Sequence, residues 1–295
     1  MSSPARWPLP IGGLPMPERL NIQRAMAPGY SDDCYLLLDG LAMDVPVTAF
    51  SLDEHPQIEP LFRGTRHSEV IEASPWLVKP MAGGQLLSSP EVWQMHGVVL
   101  YSAVGKDTLA QHLRSLISVR LPSQQLAYCR FYAPEWTARL FNSMHPEDFQ
   151  AWSGPISQWL IHNDDSWTAY TCDSTGQPKD VNDEGWYMLR EEQLAQWQAE
   201  EQQRFIDRAM HHLGCKSYQA DFTTQRERIT SLIQQAQNYG FTLEHQTLQY
   251  LELAWRFPHE LSAQQWTDYL ADHRHTADQR LQVAEQQLFG LNKDV

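Results

Sequence analysis

The apolar residues of this chain change their period near residue 190, and that change restricts the folds open to it. Before that point they come in short runs of strand length. These are Cys34-Tyr35-Leu36-Leu37-Leu38-Asp39-Gly40, Trp76-Leu77-Val78, Gly97 to Tyr101, Ile117 to Leu121, Leu126 to Tyr132, Ile156 to His162 and Trp167 to Cys172. Each carries β-branched or aromatic residues, and several stop at Gly, Pro or Asp, as strands bounded by turns do. Helix signals lie between them. Ser89-Pro90-Glu91 reads as an N-cap with Pro at the first helical position, and Leu109, Leu113 and Leu116 share one helix face. The short link Pro122-Ser123-Gln124-Gln125 predicts a hairpin, so the sheet is expected to be mixed.

After residue 190 the spacing becomes helical. Leu194, Trp197, Phe205 and Ala209 share a face between Glu191 and Leu213, and Ile229, Leu232, Ile233, Ala236 and Tyr239 share another before Gly240. Thr224 to Glu227, Ser262 to Gln265 and Thr276 to Gln279 have the form of capping boxes, and Pro258 stops the helix through Leu248, Leu251 and Trp255. The expected architecture is an α/β (α+β) lobe with a mixed sheet over 32–185, followed by an all-α lobe over 186–295. Residues 1–31, with prolines at 4, 8, 10, 15 and 17, are expected to form an extended arm, mobile or laid across the surface.

Charge and cysteines narrow the function. The net charge of −14 argues against nucleic acid and anionic lipid as partners, both of which need clustered Lys and Arg. The excess is uneven: residues 1–160 carry 11 basic and 15 acidic residues, residues 161–295 carry 11 and 21. A solvated acidic helical face explains this, as would a basic partner. Cys34, Cys129, Cys172 and Cys215 form no C-x-x-C pair, so reduced cytoplasmic thiols are expected. No run is long and apolar enough to suggest a membrane span, and the prolines of the first residues break any signal-peptide pattern.

The common catalytic motifs are absent, so no catalytic residue, cofactor or metal is assigned. His259-Glu260 would need a His at position 263, which is Ala. His211, His212 and Cys215 supply half a zinc site at most, and a helix end accounts for them, as a helix junction does for Asp272, His273 and His275. Asp180-Val181-Asn182-Asp183-Glu184-Gly185, with Glu191 at the twelfth position, approaches a calcium loop. It departs from one at Glu184 and Met188 and follows a strand rather than a helix, so a polar turn feeding the long helix is the preferred account. A hydrolase built on converging carboxylates stays open as a third function.

Several short runs occur in a fixed order: Tyr35 to Gly40, Leu61-Phe62-Arg63-Gly64-Thr65, Ser74 to Val78, His112-Leu113-Arg114, Arg130-Phe131-Tyr132-Ala133-Pro134 and Gly154-Pro155. In that order and spacing they resemble the effector adaptor (chaperone) family of bacterial type VI secretion. The family's Arg-aromatic-aromatic-Asp-Pro run has Ala133 in place of the Asp. The resemblance implies a cytoplasmic adaptor that is not itself secreted, binds one toxin effector and delivers it to the spike protein of the apparatus. Neither catalysis nor a cofactor is implied. Asp39, Trp76, Arg114, Arg130, Phe131, Tyr132, Pro134 and Trp136 become the positions expected to bind a partner or to build the family's scaffold. Phe131, in an expected central strand, is read as core, and Arg130 on the other face as pairing with Asp39 or facing a partner. The second function carried forward is an acidic inhibitor or mimic that binds a basic protein.

Overall fold

A computed structural model describes residues 18–20, 33–163, 166–173, 175–217 and 221–291. β2 (Cys34–Asp39) is buried along its whole length because it lies inside a seven-stranded sheet covered on both faces. The other strands are β1 (Glu18–Leu20), β3 (Gln57–Pro60), β4 (Pro75–Lys79), β5 (Gly97–Ser102), β8 (Ile156–Asn163) and β9 (Ser166–Thr171), in the order β1-β9-β8-β5-β2-β4-β3. Of the expected arm, only Glu18–Leu20 falls within the described residues, where it pairs with β9. Among the described residues all ladders between strands are antiparallel, and the parallel element is one bridge, Arg120 to Met188.

The register explains why every residue of β2 is apolar up to Asp39. Val78, Leu36, Val99, Leu160 and Ala169 stand opposite one another across five strands, and Leu77, Leu37, Val98, Ile161 and Thr168 form the next row on the other face. The first face packs against α1 (Val45–Leu52) and α2 (Pro90–Trp93) through Val45, Ala49 and Trp93. The second meets α4 (Pro134–Asn142) and α5 (Pro146–Ser153), where the ring of Phe141 lies 5.1 Å from Trp159 and 4.9 Å from Phe149. α3 (Lys106–Ser115) buries Leu109 and Leu113, as the spacing predicts.

Two strand expectations change. The hairpin at residues 121–125 exists, with Gln124 at φ 69°, but it joins a separate two-stranded ribbon of β6 (Ser118–Arg120) and β7 (Leu126–Tyr128). β7 also ends at Tyr128 instead of continuing to Tyr132, because the Ala133 N–H turns back to the Arg130 carbonyl and Pro134 opens α4. Phe131 is core as expected, in this turn rather than in a strand.

The chain divides into two compact units, 1–196 and 197–295. α6 (Glu191–His212) starts in the first, where Gln193 Nε2 donates to Ser143 Oγ at 3.2 Å, and runs on into the second. The second unit is helical: α7 (Phe222–Asn238), α8 (Glu244–Arg256), α9 (Pro258–Leu261), α10 (Gln264–Leu270) and α11 (Ala277–Leu291). Phe241, Leu253, Leu270, Leu281 and Leu288 form one cluster, and Ile206, Ile229, Ile233 and Leu251 another. Buried Arg280 lies between two helix ends, donating to the carbonyls of Tyr239 (2.9 Å) and Leu270, where the negative poles of α7 and α10 favour a cation.

Of the three expected capping boxes, the one opening α11 forms, with Thr276 and Gln279 bonding each other's backbone N–H groups. α7 begins ahead of Thr224, at Phe222. α10 starts behind Ala263, and Ser262 Oγ instead donates back to the His259 carbonyl. Nor does Ser89 cap α2 with its side chain.

Candidate functional site

Asp39 ends β2 on the face of Tyr35 and Leu37, and from there its buried carboxylate does two things. Oδ1 accepts the Leu41 N–H at 2.9 Å, fixing the turn that leads to α1, and Oδ2 accepts from Arg130 at 2.5 Å. Arg130 is 43% exposed, and its guanidinium sits 5.9 Å from the Tyr132 ring centre. The bond from Asp39 is the main cause that raises its already high pKa. Tyr132 is buried and its hydroxyl meets that of Tyr128 at 2.8 Å. Burial, followed by that hydrogen bond, pushes the Tyr128 phenol up. Phe131 packs edge to face on Trp152, 6.0 Å away. Arg130→Ala is expected to destabilise the fold by about 1–3 kcal/mol, because a buried carboxylate then keeps only one backbone donor; denaturant titration measures this.

Gly40 is required by close approach. A Cβ there would run into the Ser74 carbonyl oxygen and crowd the Trp76 indole nitrogen. Trp76 stands opposite Leu38 on β4, half buried, and lines a groove of about 550 Å³ with Gly40 to Pro46 and Glu72. Trp136, by contrast, lies on α4, 44% exposed, with the Arg139 guanidinium 5.3 Å from its ring. The groove includes Trp76 but none of the other expected positions.

Arg114 forms a different cluster. Nearly buried, it donates from Nε to the Leu61 carbonyl at 3.1 Å, and from Nη2 to the Pro60 carbonyl at 3.3 Å and to Glu59 Oε1 at 2.5 Å. Glu59 also meets Arg63 at 3.4 Å and Lys106 at 3.9 Å. Arg114 thus holds the edge strand β3 and the Leu61-Phe62 turn, and Ser74 Oγ supports that turn by accepting the Phe62 N–H at 3.0 Å.

A third meeting joins two runs forty residues apart. The His112 ring packs over Gly154, with Nε2 donating to the Trp152 carbonyl at 3.0 Å and Nδ1 accepting the Lys179 N–H at 3.1 Å. This pattern requires the neutral imidazole, and burial lowers its pKa to about 4. Because the folded value lies below the unfolded one, the stabilisation is complete above about pH 6.5 and disappears as pH falls through about 4. The expected loss attributable to His112 is roughly 3 kcal/mol between pH 7 and pH 4, and His112→Gln should flatten that part of the profile.

Pro134 occupies the first turn of α4, and Ala133 is its N-cap in extended conformation with no side-chain bond to the helix. No side chain therefore caps α4 at this position. Ala133→Asp is expected to stabilise the protein by about 1 kcal/mol, read as a rise in denaturation midpoint.

The acidic loop after β9 is occupied by its own bonds. Asp180 accepts the Asn182 N–H at 3.0 Å, Asp183 accepts the Asp180 N–H at 3.0 Å, and Glu184 meets Ser118 Oγ at 2.5 Å and Arg66 at 3.2 Å. His212 pairs with Glu252 at 2.5 Å. Among the described residues no three His, Cys, Asp or Glu are grouped to hold a metal, and no helix is long and apolar enough to cross a membrane.

Residues 34–151 match the model of a family described as a domain of unknown function (DUF4123). The match runs from the first residue of β2 into α5, and so takes in Asp39, Trp76, Arg114 and Arg130 to Trp136 but stops short of Gly154, β8 and β9. No curated protein and no solved structure matches the chain.

Proposed function

We propose that this chain is a cytoplasmic adaptor, not itself secreted, that holds one type VI secretion effector and passes it to the spike protein. The observation that carries this role is how the ordered runs use their polar groups. Asp39 is bound to Arg130, Arg114 to Glu59 and two carbonyls, and His112 to Trp152 and Lys179, all inside the first unit. Groups that attack or protonate a substrate need an open hydrogen-bonding position; these are spent on rigidity. A rigid scaffold suits a carrier whose binding energy comes from apolar anchors on its surface. The match over residues 34–151 supports the same role, since it spans most of the runs that resemble the adaptor family.

Affinity isolation of the full chain from its native host, followed by mass spectrometry, tests the proposal. The expected result is one effector and the spike protein, retained when salt is raised. An acidic inhibitor of a basic protein, favoured by the 11 basic and 21 acidic residues after position 160, would instead release its partner steeply with salt.

A further inference from the structure

α1 exposes large apolar residues as well as burying them, with Ser51 the polar residue on its outward side. Val45 and Ala49 are buried against the sheet, while Val47 and Phe50, three residues apart on the outward face, are 64% and 55% exposed. A surface helix ordinarily turns charged or polar residues outward. Leu41, in the turn that precedes the helix, is 68% exposed. Leu41 and Pro46, the neighbour of Val47, line the groove at the end of β2 together with Met43, Trp76 and two acids, Asp44 and Glu72, and among the described residues the lining contains no Lys or Arg. Among the described residues neither acid is paired with a cation, and Asp44 accepts the Val47 N–H at 3.1 Å.

We propose that this groove and the outward face of α1 seat a segment of a partner protein that presents an apolar side chain beside a Lys or Arg. The apolar group would lie against Trp76 and Met43, with Leu41 and Val47 closing over it, and the cation would face Asp44 and Glu72. The proposal deepens the adaptor role by giving it a contact surface. Charge selects this occupant. A second copy of a chain with net charge −14 would bring acid towards acid, and nucleic acid or an anionic lipid surface would be repelled. The exposed residues also reach beyond the groove itself, which suits a polypeptide better than a small metabolite.

The test places a photo-crosslinking phenylalanine analogue at position 47 of the full chain in host cells and identifies the crosslinked peptide by mass spectrometry. The expected adduct is a partner segment in which an apolar residue lies within a few positions of Lys or Arg. That segment, made as a synthetic peptide, is then titrated against wild-type and variant chains. Asp44→Asn, which preserves the helix cap, combined with Glu72→Gln should weaken binding about threefold to tenfold at low salt, with the difference vanishing near about 0.5 M salt. Leu41→Ser with Val47→Ser should weaken it tenfold or more at either salt. Circular dichroism and the denaturation midpoint confirm that the variants fold. An adduct to residues 1–32 of the same chain, to a second copy or to an acidic segment overturns the proposal. So does the lack of any adduct at position 47 when the wild-type chain still co-purifies with a partner, a result that leaves the adaptor role standing. If the chain captures no partner at all, the adaptor role falls and the groove assignment falls with it.

Discussion

Gly154→Ala is expected to destabilise the first unit by about 2–6 kcal/mol, a large effect for a single added methyl group. Two costs combine. Gly154 has φ 52° and ψ −115°, a region in which a side chain costs about 1–3 kcal/mol. A Cβ would also enter the His112 ring, which cannot withdraw because Trp152 and Lys179 hold both its nitrogens. Overpacking of this kind adds about 1–3 kcal/mol. Gly176 also donates its N–H to the Gly154 carbonyl at 2.6 Å, so a shift of the turn would spread to the segment that follows β9. Denaturant titration should show a lower midpoint with an unchanged slope. Trimming the ring in Gly154→Ala/His112→Ala should recover part of the loss, and the coupling between the two sites would locate the cost at their contact.

Arg114→Met is expected to cost about 3 kcal/mol. The methionine fills much of the space, so the loss reports the polar bonds: two carbonyls, of Leu61 and Pro60, lose a donor, and Glu59, with a side chain 15% exposed, keeps only its longer contacts to Arg63 and Lys106. Those remaining cations hold the cost below that of a fully abandoned buried charge. Arg114→Lys should recover little of it, because one ammonium cannot reproduce a fork that bonds two carbonyls and a carboxylate. Double substitution with Glu59→Gln should cost less than the sum of the single changes, since the uncompensated anion is gone.

Much of the first unit can be read from the sequence where burial is continuous. β2, β4, β5, β8 and β9 all coincide with apolar runs rich in β-branched or aromatic residues. Other elements give no such signal. β3 is an edge strand that follows Pro56 and ends on Pro60, and α1 begins Val45-Pro46-Val47 with only Thr48 and Ser51 polar, so neither has a recognisable period. Conversely, the run from Leu126 to Tyr132 continues past the end of its strand. Nothing local distinguishes Tyr128 from Phe131, and the bend is imposed by the Ala133 N–H closing on the Arg130 carbonyl and by Pro134 ahead. The capping pattern at Thr224 misplaced its helix start because Asp221, three residues earlier, precedes a start at Phe222.

The polar clusters divide in the same way. The partnership of Arg130 with Asp39 is one of the two outcomes that the alternation of Arg130 and Phe131 leaves open, and a turn rather than a strand delivers it. That of Arg114 with Glu59 bridges 55 residues, and no periodicity carries such information. The apolar outward face of α1 is of the same kind. Val47 and Phe50 look like core residues in the sequence, and only the packing of Val45 and Ala49 shows which side of the helix is left over.

If this chain carries a secreted protein without being secreted itself, as we propose, the extracellular proteome of the native host changes with the gene. Deletion should remove one effector from the medium while the general output of the apparatus continues, and wild-type chain should restore that effector while remaining in the cells. Unchanged effector export in the deletion strain, or appearance of this chain in the medium, would contradict the account.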